Sequence, residues 1–169
     1  MDTNSQSYTN DRTIEVSWAM KAYDEAELHY NLITSVDPTY LQLSKEDDLI
    51  YRQFRKSFPD LDIAHLHEDD LKTAKSKEDW RTFCNKFDGV IQDFNYGTLL
   101  RLDPLLEYSE SNTLFATRIQ FLAIEIARNK EGFSTRLYQN TRKKKSNISS
   151  NGNTIHGIID ATKQISVSS

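Results

Sequence analysis

Arg118, Glu125 and Asn129 stand seven and four residues apart in a stretch that is otherwise almost wholly apolar. That spacing places them on one stripe of a helix, and Arg128 follows Glu125 at i+3, within side-chain reach. Burying such groups is costly unless they are paired. Two readings follow: a structural ion pair, with Asp103 as a further partner, or a polar patch that meets another molecule. The remaining sets with chemical potential are weaker. His65 and His67 lie beside Glu68, Asp69 and Asp70, but a two-residue spacing does not bring both imidazoles to one helix face. The sequence offers no second pair of soft ligands. A solvated acidic loop is expected there, and no metal. Cys84 shares an apolar face with Trp80 and Phe87 and reads as a small buried thiol, not a nucleophile. A single cysteine also excludes an internal disulfide framework. The adjacent acids Asp47-Asp48 and Asp69-Asp70 diverge on a helix and read as solvated surface. Neither phosphate-binding glycine fingerprint occurs, and five glycines leave little material for a nucleotide cradle. No cofactor is expected.

The elements that carry these residues are helical. Trp18, Ala22, Ala26, Tyr30 and Ile33 recur at helical steps over about 13–35, a segment that Asp11 or Thr13 can cap and Asp37-Pro38 stops. Ser44-Lys45-Glu46-Asp47 resembles a capping box and opens a second helix carrying Ile50, Phe54 and Phe58 up to Pro59. One helical turn is expected around 68–72. The same tetrapeptide returns at Ser76-Lys77-Glu78-Asp79, followed by Trp80, Phe83, Cys84 and Phe87 at i, i+3, i+4 and i+7, a third helix reaching about Asp88. Asn95-Tyr96-Gly97 suggests a turn that needs a permissive glycine. Periodicity leaves the residues after it open between a helical turn and a short extended piece. Asn112-Thr113 can cap a last helix running to about Asn129, apolar almost all round and therefore central, with Gly132 ending it. The fold class expected is all-α: a compact single-domain bundle of about four to six helices, with an extended segment open at 97–103. Residues 1–10 are read as a flexible N-terminus and 11–140 as the helical domain. Residues 141–169, first basic and then rich in Ser and Asn, are read as a disordered tail.

The 169 residues suit one domain, and 18 aromatic residues can build its core. The first ten residues show no apolar run of the secretory kind, and the apolar stretch 114–127 is too short and too polar to cross a bilayer. A soluble, intracellular protein is expected. The net charge is −4, yet residues 141–169 hold Arg142, Lys143, Lys144, Lys145 and Lys163 against Asp160 alone. The acidic excess therefore sits in residues 1–140. An acidic body repels phosphate backbones, so no nucleic-acid-binding face is expected there. The basic run reads equally as a nuclear-localisation-like signal, a ribosomal-RNA contact or a solubilising tail.

Longer runs carry a family resemblance. They are Trp80-Arg81-x-Phe83-Cys84-x-Lys86-Phe87-x-Gly89, Asp93-Phe94-Asn95-Tyr96-Gly97-Thr98-Leu99-Leu100-Arg101-Leu102-Asp103 and Asn112-Thr113-x-Phe115-Ala116-x-Arg118-Ile119-Gln120-Phe121. Ala123-Ile124-Glu125-Ile126-Ala127-Arg128-Asn129 with Glu131-Gly132 follows. Trp18-Ala19-x-Lys21-Ala22, Ser35-Val36-Asp37-Pro38 and Phe54-Arg55-Lys56 fit as well. Over about residues 13–135 the chain resembles the small eukaryotic polysaccharide biosynthesis domain-containing proteins, a mostly helical family. The resemblance implies a non-enzymatic chaperone, similar to a cytosolic factor for newly made translation elongation factor 1-alpha. Such a factor engages the nascent GTP-binding domain at the ribosome, with help from the nascent-polypeptide-associated complex, and lets go as that domain takes up GTP. It would work without a cofactor, metal or membrane, and a protein of this size can act as a monomer. The client surface is then expected at Asn95, Tyr96, Gly97, Arg101 and Asp103, with Arg118, Gln120, Glu125 and Arg128 beside them. The alternative for many of these residues is that they hold the fold together. Two other functions compete. The family's name comes from a remote likeness to plant xylan glucuronic-acid methyltransferases around 118–129, which raises a methyl-transfer or polysaccharide enzyme. The glycine-bearing strand–loop–helix of a methyl-donor fold is not found here. The third is an adaptor whose tail meets ribosomes or RNA.

Overall fold

The computed structural model describes residues 12–165, with side chains described for 12–150. The flexible N-terminus expected at 1–10 lies outside the described residues. Helix α1 (Arg12–Ser35) is followed by a 3-10 turn (Pro38–Tyr40), α2 (Asp47–Ser57), α3 (Asp69–Lys72) and α4 (Ala74–Cys84), which runs into a second 3-10 turn (Asn85–Phe87). Strands β1 (Gly97–Arg101) and β2 (Thr113–Thr117) pair antiparallel, Gly97 opposite Thr117 and Arg101 opposite Thr113. Helices α5 (Arg118–Lys130) and α6 (Phe133–Ile165) complete the chain. The fold is mainly helical, as expected, with a small hairpin added.

α5 is the centre. Ile119, Leu122, Ala123, Ile124, Ile126 and Ala127 are all buried, so the almost fully apolar helix read from the sequence is packed on every side. Against it α2 and α4 bring an aromatic cluster. Phe58 stacks on Trp80 at 4.2 Å, and Trp80 meets Phe83 edge to face at 5.5 Å. The Trp80 indole N–H donates to the Asp70 carbonyl at 3.0 Å, which fastens α3 to α4. Such aromatic pairs contribute beyond the area they bury.

Three expectations change. The helix expected from Asn112 starts six residues later. Leu114 and Ala116 are buried while Phe115 between them is exposed, a period of two that belongs to a strand. The helix start is the capping box of Thr117 and Gln120: the Thr117 hydroxyl accepts from Gln120 N and the Gln120 carboxamide from Thr117 N. Second, α4 is capped by Thr73, whose hydroxyl accepts from Ser76 N, so Ser76 to Asp79 lie inside the helix. Third, α2 begins only at Asp47, whose carboxylate accepts from Leu43 N and Ser44 N. Residues 141–165 are assigned to α6. Leu137 is buried, and the Thr141 hydroxyl donates to the Tyr138 carbonyl at 2.8 Å. The anchored first turns thus carry the helix into a Lys/Arg run of good helix formers. From Arg142 to Ser150 every residue is exposed.

Candidate functional site

The polar residues singled out on α5 divide between interior and surface. Glu125 is fully buried, and so are Arg128 one turn later and Arg101 at the end of β1. Arg128 Nη1 donates to Glu125 Oε1 at 2.8 Å, and Arg101 Nη2 donates to both carboxylate oxygens at 3.0 and 3.2 Å. Two cations face one anion, and the surplus charge is spread over main-chain carbonyls. Arg101 donates to Pro104 and Leu106. Arg128 donates to Ile63, Arg101 and Leu102. This clasp ties the loop before α3 and the loop after β1 to the central helix.

Its titration is set by burial and charge together. Burial alone pushes the Glu125 carboxyl up, but Arg101 and Arg128 outweigh it and hold the pKa at about 2. His29 of α1 closes the clasp from above, its Nε2 3.8 Å from Glu125 Oε2 and its Nδ1 2.8 Å from the Tyr108 hydroxyl. Burial drives its pKa down; Glu125 pulls it up, and the two arginines push it down again, to about 4. Despite the short approach to Glu125, the imidazole is neutral near pH 7, so this contact is not an ion pair.

The structural reading of the polar stripe therefore holds for Glu125 and Arg128, which pair at i+3, while Arg118 stays outside the pair. Arg118 and Glu125 share an angular position on α5, but they are two turns apart, about 10 Å along the axis. Arg118 is exposed and Glu125 buried. The Asn129 amide has no hydrogen-bond partner among the described residues. Asp103 takes no part in the clasp: its carboxylate accepts from Leu105 N at 2.8 Å and shapes the loop. Arg101, Glu125 and Arg128, expected on a client surface, are interior, and Gln120 is spent on capping α5. Gly97 is needed for a different reason than a turn. The backbone turns at Asp93, with φ 53°, while a Cβ on Gly97 would lie 3.0 Å from Trp18 Cζ2. Trp18 rests on this strand and on Phe115, ring centroids 5.2 Å apart. Asn95, Tyr96 and Arg118 remain on the surface.

One interior residue and one partly exposed ion pair escape the sequence reading. His29 lies on the face of Ala22, Ala26 and Ile33, three residues after Ala26 and four before Ile33, where the reading placed Tyr30. Arg55 and Glu131 form a two-pronged ion pair, Nε to Oε1 and Nη2 to Oε2 both at 2.7 Å, joining α2 to the end of α5. Only the fold brings them together. Burial pushes the Cys84 thiol up to about 11, in keeping with a packed thiol.

Tyr96 and Arg118, but not Asn95, line a groove of about 240 Å³ between α1, the hairpin and the start of α5. Leu28 and Leu32 of α1 form one wall, Tyr96, Thr98 and Leu99 the other, and Phe121 and Leu122 the floor. Leu28 is 70 % exposed, and Tyr96 and Leu32 are 37 % exposed, so large apolar side chains stand uncovered around a concave surface. At the rim, Lys21 pairs with Glu25 at 4.0 Å and sits 4.8 Å over the Tyr96 ring. No group of three or more His, Cys, Asp or Glu side chains suited to a metal occurs among the described residues, and no helix among them is long and apolar enough to cross a membrane.

The comparisons with known proteins agree with this architecture. Residues 14–139 match the family described as PBDC1 protein. The chain is 56% identical over 134 residues to Protein PBDC1 of Homo sapiens, covering 79% of this chain and 58% of that one. It is 42% identical over 135 residues to the Protein PBDC1 homolog of Saccharomyces cerevisiae, covering 78% and 92%. The matched stretch thus spans less than two thirds of the human protein's length. A solution NMR structure of a Saccharomyces cerevisiae protein matches with a TM-score of 0.71 at 41% identity, covering 80% of this chain and 96% of that one. The chain belongs to the PBDC1 family.

Proposed function

We propose that this protein is a non-enzymatic chaperone that binds the nascent GTP-binding domain of translation elongation factor 1-alpha and releases it as that domain folds around GTP. The observation that carries the reading is a division of labour among the residues of the family signature. Three of its charged members, Arg101, Glu125 and Arg128, are sealed inside, out of reach of a small substrate, while large apolar side chains stay uncovered around one groove. Uncovered apolar side chains around a groove mark an interaction site, read here as one for another chain. A GTP-binding domain without nucleotide has an open site and a slow-forming parallel sheet. A helper that prefers this incomplete state is displaced when GTP completes it, because release needs only a difference in affinity for the two states.

The test is a pull-down by tagged protein from a cell-free translation reaction halted once the GTP-binding domain has emerged. Capture that GTP reverses after chain release supports the reading. No capture by the folded protein, with or without the nascent-polypeptide-associated complex, overturns it. A saturable rise in melting temperature with S-adenosylmethionine would favour the methyl-transfer reading instead. One further observation favours an added ribosome contact: α6 carries Arg142, Lys143, Lys144 and Lys145 in succession, all exposed.

A further inference from the structure

The groove holds one charge without a counter-ion. Lys21 and Glu25 satisfy each other at the rim, but the Arg118 guanidinium, which also lines the groove, makes no ion pair or side-chain hydrogen bond among the described residues. It sits at the first position of α5, where the helix macrodipole disfavours a cation. Its backbone N–H is already taken by the Tyr96 carbonyl at 2.7 Å. The position works against a cation here, so a carboxylate from outside the fold is a natural counter-charge. The apolar part has a scale as well. About 150 Å³ is enough for one benzene ring, so 240 Å³ takes one or two large side chains and not a whole element. Leu28 and Leu32, one turn apart on α1, form a ridge against which a second helix can pack.

We propose that this groove docks an acidic amphipathic helix of the client, which inserts apolar residues one turn apart between Leu28, Leu32, Leu99 and Phe121 and sets a carboxylate on Arg118. The identity of the client rests on the chaperone reading above; the chemistry of the docked helix does not.

An array of overlapping peptides covering the GTP-binding domain of elongation factor 1-alpha is probed with wild type, Leu28→Asp and Arg118→Glu, each checked by melting. Both positions are exposed, so both variants are expected to fold. The strongest wild-type binders should carry two apolar residues three or four apart with Asp or Glu within a turn. Leu28→Asp should weaken them about tenfold. Arg118→Glu should weaken them too, and should tighten versions with the acid changed to Lys. A silent array, indifference to Leu28→Asp, or preference for basic peptides overturns the proposal. The halted nascent domain separates the two readings. Captured equally by wild type and both variants, it removes the groove and leaves the chaperone. Missed even by wild type, it removes the chaperone, and the array alone judges the groove.

Discussion

At Glu125 two guanidinium groups meet one carboxylate, all three side chains shut away from water. Taking one partner away strands the others, which is where buried ion pairs exert most of their effect. Glu125→Gln is expected to lose about 3–5 kcal/mol, read as a fall in the urea midpoint; an unchanged midpoint would mean the clasp is dispensable. Replacing all three residues by apolar ones would not be neutral either, because five carbonyls now served by the arginines would be left without donors. His29 gives the same cluster a pH dependence. Its pKa is about 4 in the fold against 6.5 ordinarily. Between those values the unfolded chain binds a proton that the folded chain refuses, so stability is full above about pH 6.5 and declines as pH falls. From pH 7 to pH 5 the expected loss is about 2 kcal/mol. Glu125, held at about 2 against 4.5, adds its own loss only below about pH 4.5, outside that window. Urea titrations at pH 7, 6 and 5 check this, and His29→Asn should flatten the curve. A wild-type curve already flat would mean that the buried imidazole takes up its proton as readily as it does in the unfolded chain.

Among the elements, α5 shows what local pattern can and cannot specify. Its apolar span and its end at Gly132 were legible from periodicity and turn chemistry, and so were the extent of α1 and the turn at α3. Its start was not, because Asn112-Thr113 and Thr117 both look like caps, and only pairing with β1 decides between them. That pairing buries Leu100 and Leu114 together, a long-range gain that no window of sequence contains. The same limit hid the site. Glu125 with Arg128 was visible at i+3, but Arg101 comes from a strand 24 residues earlier, and Arg55 with Glu131 spans 76. The capping box had a readable signal in Thr117-x-x-Gln120. Thr117→Ala should destabilise the protein by about 1 kcal/mol, and Thr117→Ser by much less, since the hydroxyl remains. Thermal melts of the pair check it, and equal losses would place the role of Thr117 in its methyl group instead.

For the whole molecule the decisive feature is the separation of charge and shape. An acidic body carries the groove, while α6 extends from it with Arg142 to Lys145 on fully exposed turns. Arg142 is partly occupied, its guanidinium 4.7 Å over the Tyr138 ring; the three lysines make no ion pair or side-chain hydrogen bond among the described residues. A helix arranges these cations around its axis, so only some can meet one polyanion at a time. If this arm meets ribosomal RNA, it does so through a few phosphates. Affinity should then fall with salt along a log–log slope of roughly −1 to −3. Changing Lys143, Lys144 and Lys145 to Glu should abolish that slope and release the protein from salt-washed ribosomes. The melting temperature and the groove-dependent capture of peptides should stay the same, because the reversed residues touch neither the clasp nor the groove. Co-sedimentation over a range of potassium chloride concentrations is the measurement. Loss of ribosome binding with peptide capture intact would establish two independent surfaces. Ribosome binding unaffected by the reversal would remove the arm from the account and leave recruitment to the groove or to a partner protein.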